Sequence, residues 1–420
     1  MHRTPNRRGS RSTSPRRSAV RSGGPAIRIM QAGLITALFA GLSTGAWARQ
    51  SGTGSDVADA NRERLEQMQQ QLDARSLFPP SRLRELGYRA DWQTEVPPSP
   101  GASLDTLFLR GDALYTRDTN NLLSRVSRDR GEVLWQSPIG SPRDELIDVL
   151  RLRRGDEEQA VAIGRLEVFV VDNANGIAER RQEIERTLYT SGAVFGPYFI
   201  YGTRDGQIIW HQYEVGYPWR GNSLPGSVSA TPLIVDDLVY VVGSTGRILA
   251  LDAASTRLVW EKQLIAGIDD GPACQDGVLL VAGRDQYLWA LDAKTGRTLW
   301  RYFTESPLTT SPVADGDSVY QFVPTEGLVK LSLRPEGSIA GDVQWRSTEA
   351  TGRILGRRGS RLLLWDAPTR TMRTVDVATG DVVEQIELPA VADVVAEGFE
   401  NPALQFLASN GTVMRIVPQQ

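Results

Sequence analysis

In a chain of 420 residues, 47 basic side chains stand against 50 acidic ones, and eight arginines (3, 7, 8, 11, 16, 17, 21 and 28) fall in an opening segment that holds no acid. Beyond residue 48 the balance is 39 basic against 50 acidic, a net of about −11, which argues against non-specific nucleic-acid binding. One cysteine, Cys274, rules out an internal disulfide framework, and one histidine beyond that segment, His211, rules out a histidine-cluster metal site.

The arginine-rich segment leads into an apolar run from Ala32 to Leu42 and then Ala46-Trp47-Ala48. This is the pattern of a secretory signal cleaved after Ala48, so residues 1–48 are expected to be a signal peptide and the protein to be exported to the periplasm or cell envelope of a bacterium. Gly33, Thr36 and Gly41 interrupt the run, which is short for a span of about 20 residues, so no stable membrane anchor is expected after cleavage. Residues 49–85 comprise a small polar linker, Gln50 to Ser55, and a helix predicted over 56–76. Leu65, Met68 and Leu72 lie at helical spacing, Asp56 or Asp59 is the cap, and Pro79-Pro80 lies beyond the helix. That helix is expected on the rim of the fold, with a partner-binding arm as the alternative.

The organising feature lies further on. Residues 250–260, ALDAASTRLVW, are repeated forty positions later at 290–300, ALDAKTGRTLW. A fixed period near 40 residues marks an array of small sheets, none of which buries a face alone. In the second copy, alternation puts Leu288 and Ala290 on one face of a strand and Trp289 and Leu291 on the other. Asp292 ends that strand, its carboxylate accepting from the amides of the turn, and Gly296 tolerates the positive φ of a tight return. Trp300 returns on the next strand, where a flat ring can wedge between sheets.

These residues resemble the pyrroloquinoline-quinone-type propeller repeat, ALDxxTGxxxW, with Arg257 in the glycine's place in the first copy. With Asp292 as a ruler, equivalent slots fall at Ser127, Asp172, Gln212, Asp252, Asp292, Ser332, Asp376 and Val417. Trp135, Trp260, Trp300 and Trp345 hold the tryptophan slot, Arg180 and Glu384 replace it, and Trp219 lies one residue from it. Trp92 is an outer strand with no inner strands before it, while the last copy ends without an outer strand. Joining them predicts an all-β fold over residues 86–420: a single eight-bladed β-propeller of four-stranded blades, closed by pairing the N- and C-terminal strands in one blade.

Asp252, Trp260, Asp292, Gly296, Trp300, Trp135 and Trp92 are expected to be structural. The charge run AERRQEIERT is expected to be a solvated face of the second blade, and Cys274 a buried small residue. Tyr213, Tyr217, Trp219 and Arg220, crowded around Pro218 in what is taken as the fourth blade, have the composition of a protein-binding hot spot and are the candidate partner-binding residues. The resemblance extends to the propeller of outer-membrane protein assembly factors and implies a non-catalytic scaffold that binds envelope proteins and works as a monomer. Arg49, not a cysteine, follows the signal, so lipid anchoring is not expected. A quinoprotein dehydrogenase is the alternative, but the resemblance would then imply a vicinal disulfide, a tryptophan floor and a calcium held by Glu, Asn and Asp. The sequence offers no second cysteine and no convincing set of paired acids, so no catalytic, cofactor or metal residues are expected. A sensor propeller for a polysaccharide or small ligand is the third reading.

Overall fold

The computed structural model describes residues 76–419, apart from 155, 156, 185, 338 and 339, together with 62–64, 66–68 and 71; the signal segment lies outside them. The described residues form eight four-stranded antiparallel sheets. Seven are continuous in sequence, spanning 104–138, 146–183, 193–223, 233–263, 273–303, 313–347 and 353–387, and are numbered here as blades 1 to 7. First strands of neighbouring blades approach one another, so each blade runs outward from the axis in chain order. Blade 8 takes three strands from the C-terminus (Val391–Glu397, Ala403–Ala408, Thr412–Pro418) and its outer strand, Tyr88–Glu95, from the N-terminus. Trp92 pairs opposite Arg415, and its indole donates to the Arg128 carbonyl of blade 1 at 2.7 Å, which closes the ring.

Blades pack through the alternation seen in the sequence. Leu288 and Ala290 join the core shared with Val319, Val329 and Leu331 of blade 6, whereas Leu291 and Trp289 face Tyr240 and Trp260 of blade 4. Each strand is thereby buried on both faces, and the indole supplies a directional contact in addition. Trp135 donates to Asn173 O at 2.9 Å, Trp260 to Ala293 O at 2.8 Å, Trp300 to Leu333 O at 2.8 Å and Trp345 to Val377 O at 2.9 Å. Every acceptor is the residue just after the aspartate slot of the following blade. There the Asp292 carboxylate accepts from the Thr295 amide and hydroxyl at 2.9 and 2.8 Å, and Asp252 does the same with Ser255 at 2.7 and 2.6 Å. These bonds, above all those from the two hydroxyls, hold both carboxyls below the usual range.

The motif glycine has two reasons to be glycine. Gly296 lies at φ +70°, and a Cβ on it would come within 2.6 Å of the Trp260 ring of the preceding blade. Gly131, Gly176 and Gly380 stand in the same relation to Trp92, Trp135 and Trp345. The exception corrects the sequence alignment: Thr256, at φ +63°, and not Arg257, occupies the glycine position of blade 4. A side chain is tolerated there because the outer strand of blade 3 presents Arg220, and no outer-strand indole lies on it.

At two of the seams where the outer tryptophan is missing, other groups reach the equivalent carbonyl. Blade 2 uses Arg180, which donates to Glu214 O, and Gln182, which donates to Tyr213 O at 2.9 Å. Its charge run is therefore not a solvated face throughout, since Arg180 and Gln182 point into the seam while Glu179, Arg181 and Glu183 face solvent. In blade 3 the donor is Trp210 on the third strand, bonded to Ala253 O at 2.9 Å. Cys274 is a half-buried free thiol on the inner strand of blade 5.

The described residues among 62–71 are helical; the rest of the predicted 56–76 helix lies outside the described residues. Pro79-Pro80 does not mark an end only, because it starts helix α1, Pro80–Glu85, with proline at the first turn, where its missing N–H costs no bond. Phe78 and Leu83 are buried against Trp365, Met372 and Phe406, so α1 seals the seam between blades 7 and 8.

Trp300→Ala is expected to destabilise the fold by about 3–5 kcal/mol through the cavity it leaves. Asp292→Ala, which removes one turn acceptor near the surface, should cost about 1–2 kcal/mol; denaturant titration of both variants checks the order.

Candidate functional site: the aromatic edge of blade 3

The candidate aromatics belong to blade 3 in chain order, not a fourth blade, as the Gln212 slot requires. Register explains their exposure. Trp210 pairs opposite Arg220 and His211 opposite Pro218, with the same one-residue bulge that blades 4 and 5 show, so Arg220 stands in the slot of the docking tryptophan and Trp219 at the bulged position beside it. Pro218 is accepted because it lies on an outer strand at this bulge, where no ladder donor is needed. Trp219 is turned toward Tyr198 and stacks on it with ring centroids 4.9 Å apart and planes at 26°. The Arg220 guanidinium lies 4.6 Å from the Trp219 ring centroid and donates to Ser255 O at 3.3 Å.

The ladder lines up Phe195, Tyr198, Gln212 and Tyr217 across this end of the blade. Tyr217 is 48% exposed, Val215 in the adjoining turn 61% and Val194 41%, while Trp219 is half-buried. A preorganised stack of rings with a cation on it and exposed apolar neighbours is suited to receive a protein side chain with little loss of side-chain entropy. Tyr213 does not belong to it. It is 2% exposed, packed in the core that joins blades 2 and 3 with Ile184, Phe199 and Ile209, because the residue after its slot enters a seam, as Ala253 and Ala293 do after theirs. The sequence could not separate these two tyrosines without the register.

The axial residues do not fit a quinone with calcium. The acids on the inner strands are already engaged: buried Asp148 accepts from Arg110, Ser191 and the Val149 amide, half-buried Asp393 from Arg353 and the Val394 amide, and half-buried Asp315 from Arg357. Among the described residues no three His, Cys, Asp or Glu side chains gather in a way that could hold a metal ion, and Cys274 has no second thiol to form a cover.

Behind the patch, His211 is buried against Phe199 at 4.7 Å between ring centroids, its Nε2 3.0 Å from Gln182 Oε1. Burial pushes its pKa down from 6.5 to about 4. The unfolded chain therefore binds the extra proton first as pH falls. Stability from this group is full above pH 6.5 and is lost progressively toward pH 4, by about 3 kcal/mol. Relative to the parent, His211→Phe should flatten that part of the pH–stability profile; parallel profiles for the two proteins would contradict this.

The family described as outer membrane protein assembly factor BamB matches residues 199–359 and 267–410, which together span half of the chain. An outer membrane protein assembly factor BamB of Legionella pneumophila is 22% identical over 325 residues, covering 73% of this chain and 82% of its own. In matches to other proteins of that name the chain spans only 29% to 62% of their length. The crystal structure of BamB from Moraxella catarrhalis superposes with a TM-score of 0.60 at 19% identity, covering 77% of this chain and 97% of that one, which shows the shared fold. A quinohemoprotein alcohol dehydrogenase of Pseudomonas putida is 30% identical over 105 residues, which cover 22% of this chain and 15% of the enzyme. The enzyme likeness is thus confined to a short stretch, while the assembly-factor likeness runs across several blades. On this evidence the chain belongs to the family described as outer membrane protein assembly factor BamB.

Proposed function

We propose that this protein is a non-catalytic scaffold in outer-membrane protein assembly, exported to the envelope, where it holds a protein partner on the aromatic edge of blade 3. The observation that carries the reading is the release of that edge from ring closure. Trp210 supplies the seam bond to Ala253 O, so the Trp219 indole N–H is not needed for it; Tyr198 and Trp219 rest with one side on the core between blades 3 and 4, Arg220 reaches Ser255 O of blade 4, and Tyr217 is left exposed. Family membership supports the assembly role, and the engaged axial acids speak against quinone-dependent oxidation. No described helix is long and apolar enough to cross a membrane, which agrees with a propeller that works beside it.

The test is genetic and physical together. Removing the gene should lower the outer-membrane content of β-barrel proteins, and the parent chain supplied in trans should restore it. Tyr217→Ala should keep the parent's melting temperature yet restore that content poorly. Unchanged β-barrel content after gene removal would overturn the assembly reading; full restoration by Tyr217→Ala at normal stability would overturn the site.

A further inference from the structure

The seam between blades 7 and 8 differs from the others. The outer-strand tryptophan slot holds Glu384, and the residue paired opposite it, at the position of Trp210 in blade 3, is Thr374. No indole stands at that slot, although Trp365, on the second strand of blade 7, is buried elsewhere in the same seam. The indole's place against the glycine is taken by a guanidinium: a Cβ on Gly87, at φ +70°, would come within 2.6 Å of Arg358, just as Gly296 does with Trp260. The Arg358 group lies 4.7 Å from the Tyr88 ring centroid, with Nη2 3.4 Å from Gln419 O.

A guanidinium is thinner than an indole, and a cavity of about 490 Å3 remains, bordered by Leu86, Gly87, Arg358, Ser360, Leu363 and Thr374. Two buried donors beside it have no partner: Arg358 Nη1 and the hydroxyl of Thr374, a residue only 1% exposed. Unsatisfied buried donors are costly, and two on one cavity mark a place for an acceptor. The neighbouring charges balance one another: Arg361 lies 3.9 Å from the Glu384 carboxylate, whose Oε2 is buried without a hydrogen bond, and Glu85 at the rim pairs with Arg82 at 2.8 Å. One uncompensated cation is left, with Leu86 and Leu363 as apolar walls.

We propose that this cavity is a binding site for a monoanionic carboxylate carrying a short apolar body. The carboxylate accepts from Arg358 Nη1 and the Thr374 hydroxyl, and the body lies on Leu86 and Leu363. The site is separate from the blade 3 edge and does not depend on the assembly reading.

N-acetyl-leucine, titrated calorimetrically into the full exported chain with N-acetyl-leucinamide as the uncharged control, provides the test. The acid should bind saturably and the amide should not. Thr374→Val keeps the volume and removes an unpartnered hydroxyl, so its melting temperature should equal or exceed the parent's while the acid binds about five-fold or more weakly. Arg358→Gln should abolish binding. Absence of saturable binding of the acid, equal binding of acid and amide, or parent-like affinity in Thr374→Val would each overturn the proposal. Because the melting temperature is read on the same variant, loss of binding at a parent-like melting temperature cannot be put down to unfolding.

Discussion

The ring depends on a contact repeated at seven of its eight seams: a donor on one blade bonded to the carbonyl just past the aspartate slot of the next. A β-sheet blade buries both faces only if its neighbours stay in register with it, and apolar contact alone is not directional. The indole N–H of Trp92, Trp135, Trp260, Trp300 or Trp345 fixes that register, and its ring supplies apolar area at the same point. The constraint propagates back into sequence, because a ring lying on the next turn forbids a Cβ there. Glycine in one blade is the counterpart of tryptophan in the blade before it, and Thr256 appears where that tryptophan is absent.

Departures from the contact are where the molecule has surface or space to use. At the seam after blade 2 the indole is exchanged for Arg180 and Gln182, and Gln182 also holds the buried His211. After blade 3 the task moves inward to Trp210, which leaves a stacked aromatic pair and an arginine outside. At the seam after blade 7 the plug is a guanidinium and a cavity opens beside it. The same fold can thus carry different surfaces without changing its closure, so fold likeness alone does not identify an activity.

The architecture was legible because its determinants are local and periodic. The forty-residue spacing, the strand alternation around Leu288–Leu291 and the lone Trp92 together imply eight blades and a mixed terminal blade. What could not be read depends on contacts distant in sequence. Tyr213 and Tyr217 look alike in sequence, yet one enters a seam and the other faces solvent, and only the pairing of the third and fourth strands, with Tyr217 opposite Gln212, decides it. Trp210 itself was missed because it stands on the third strand, outside the slot that the motif defines. The cavity beside Arg358 was equally hidden, since Gly87 and Thr374 meet only after the chain has closed on itself.

The central claim is that the closing hydrogen bond passes from the outer strand to Trp210 in blade 3, so that the Trp219 indole N–H is not needed for it. Comparing Trp210→Phe with Trp219→Phe in equilibrium unfolding tests it most directly, since both changes keep an aromatic ring and remove an indole N–H. The account predicts that Trp210→Phe, which strands the Ala253 carbonyl in the seam, loses about 1–3 kcal/mol while Trp219→Phe loses less than about 1 kcal/mol. Equal losses, or a larger one in Trp219→Phe, would contradict it.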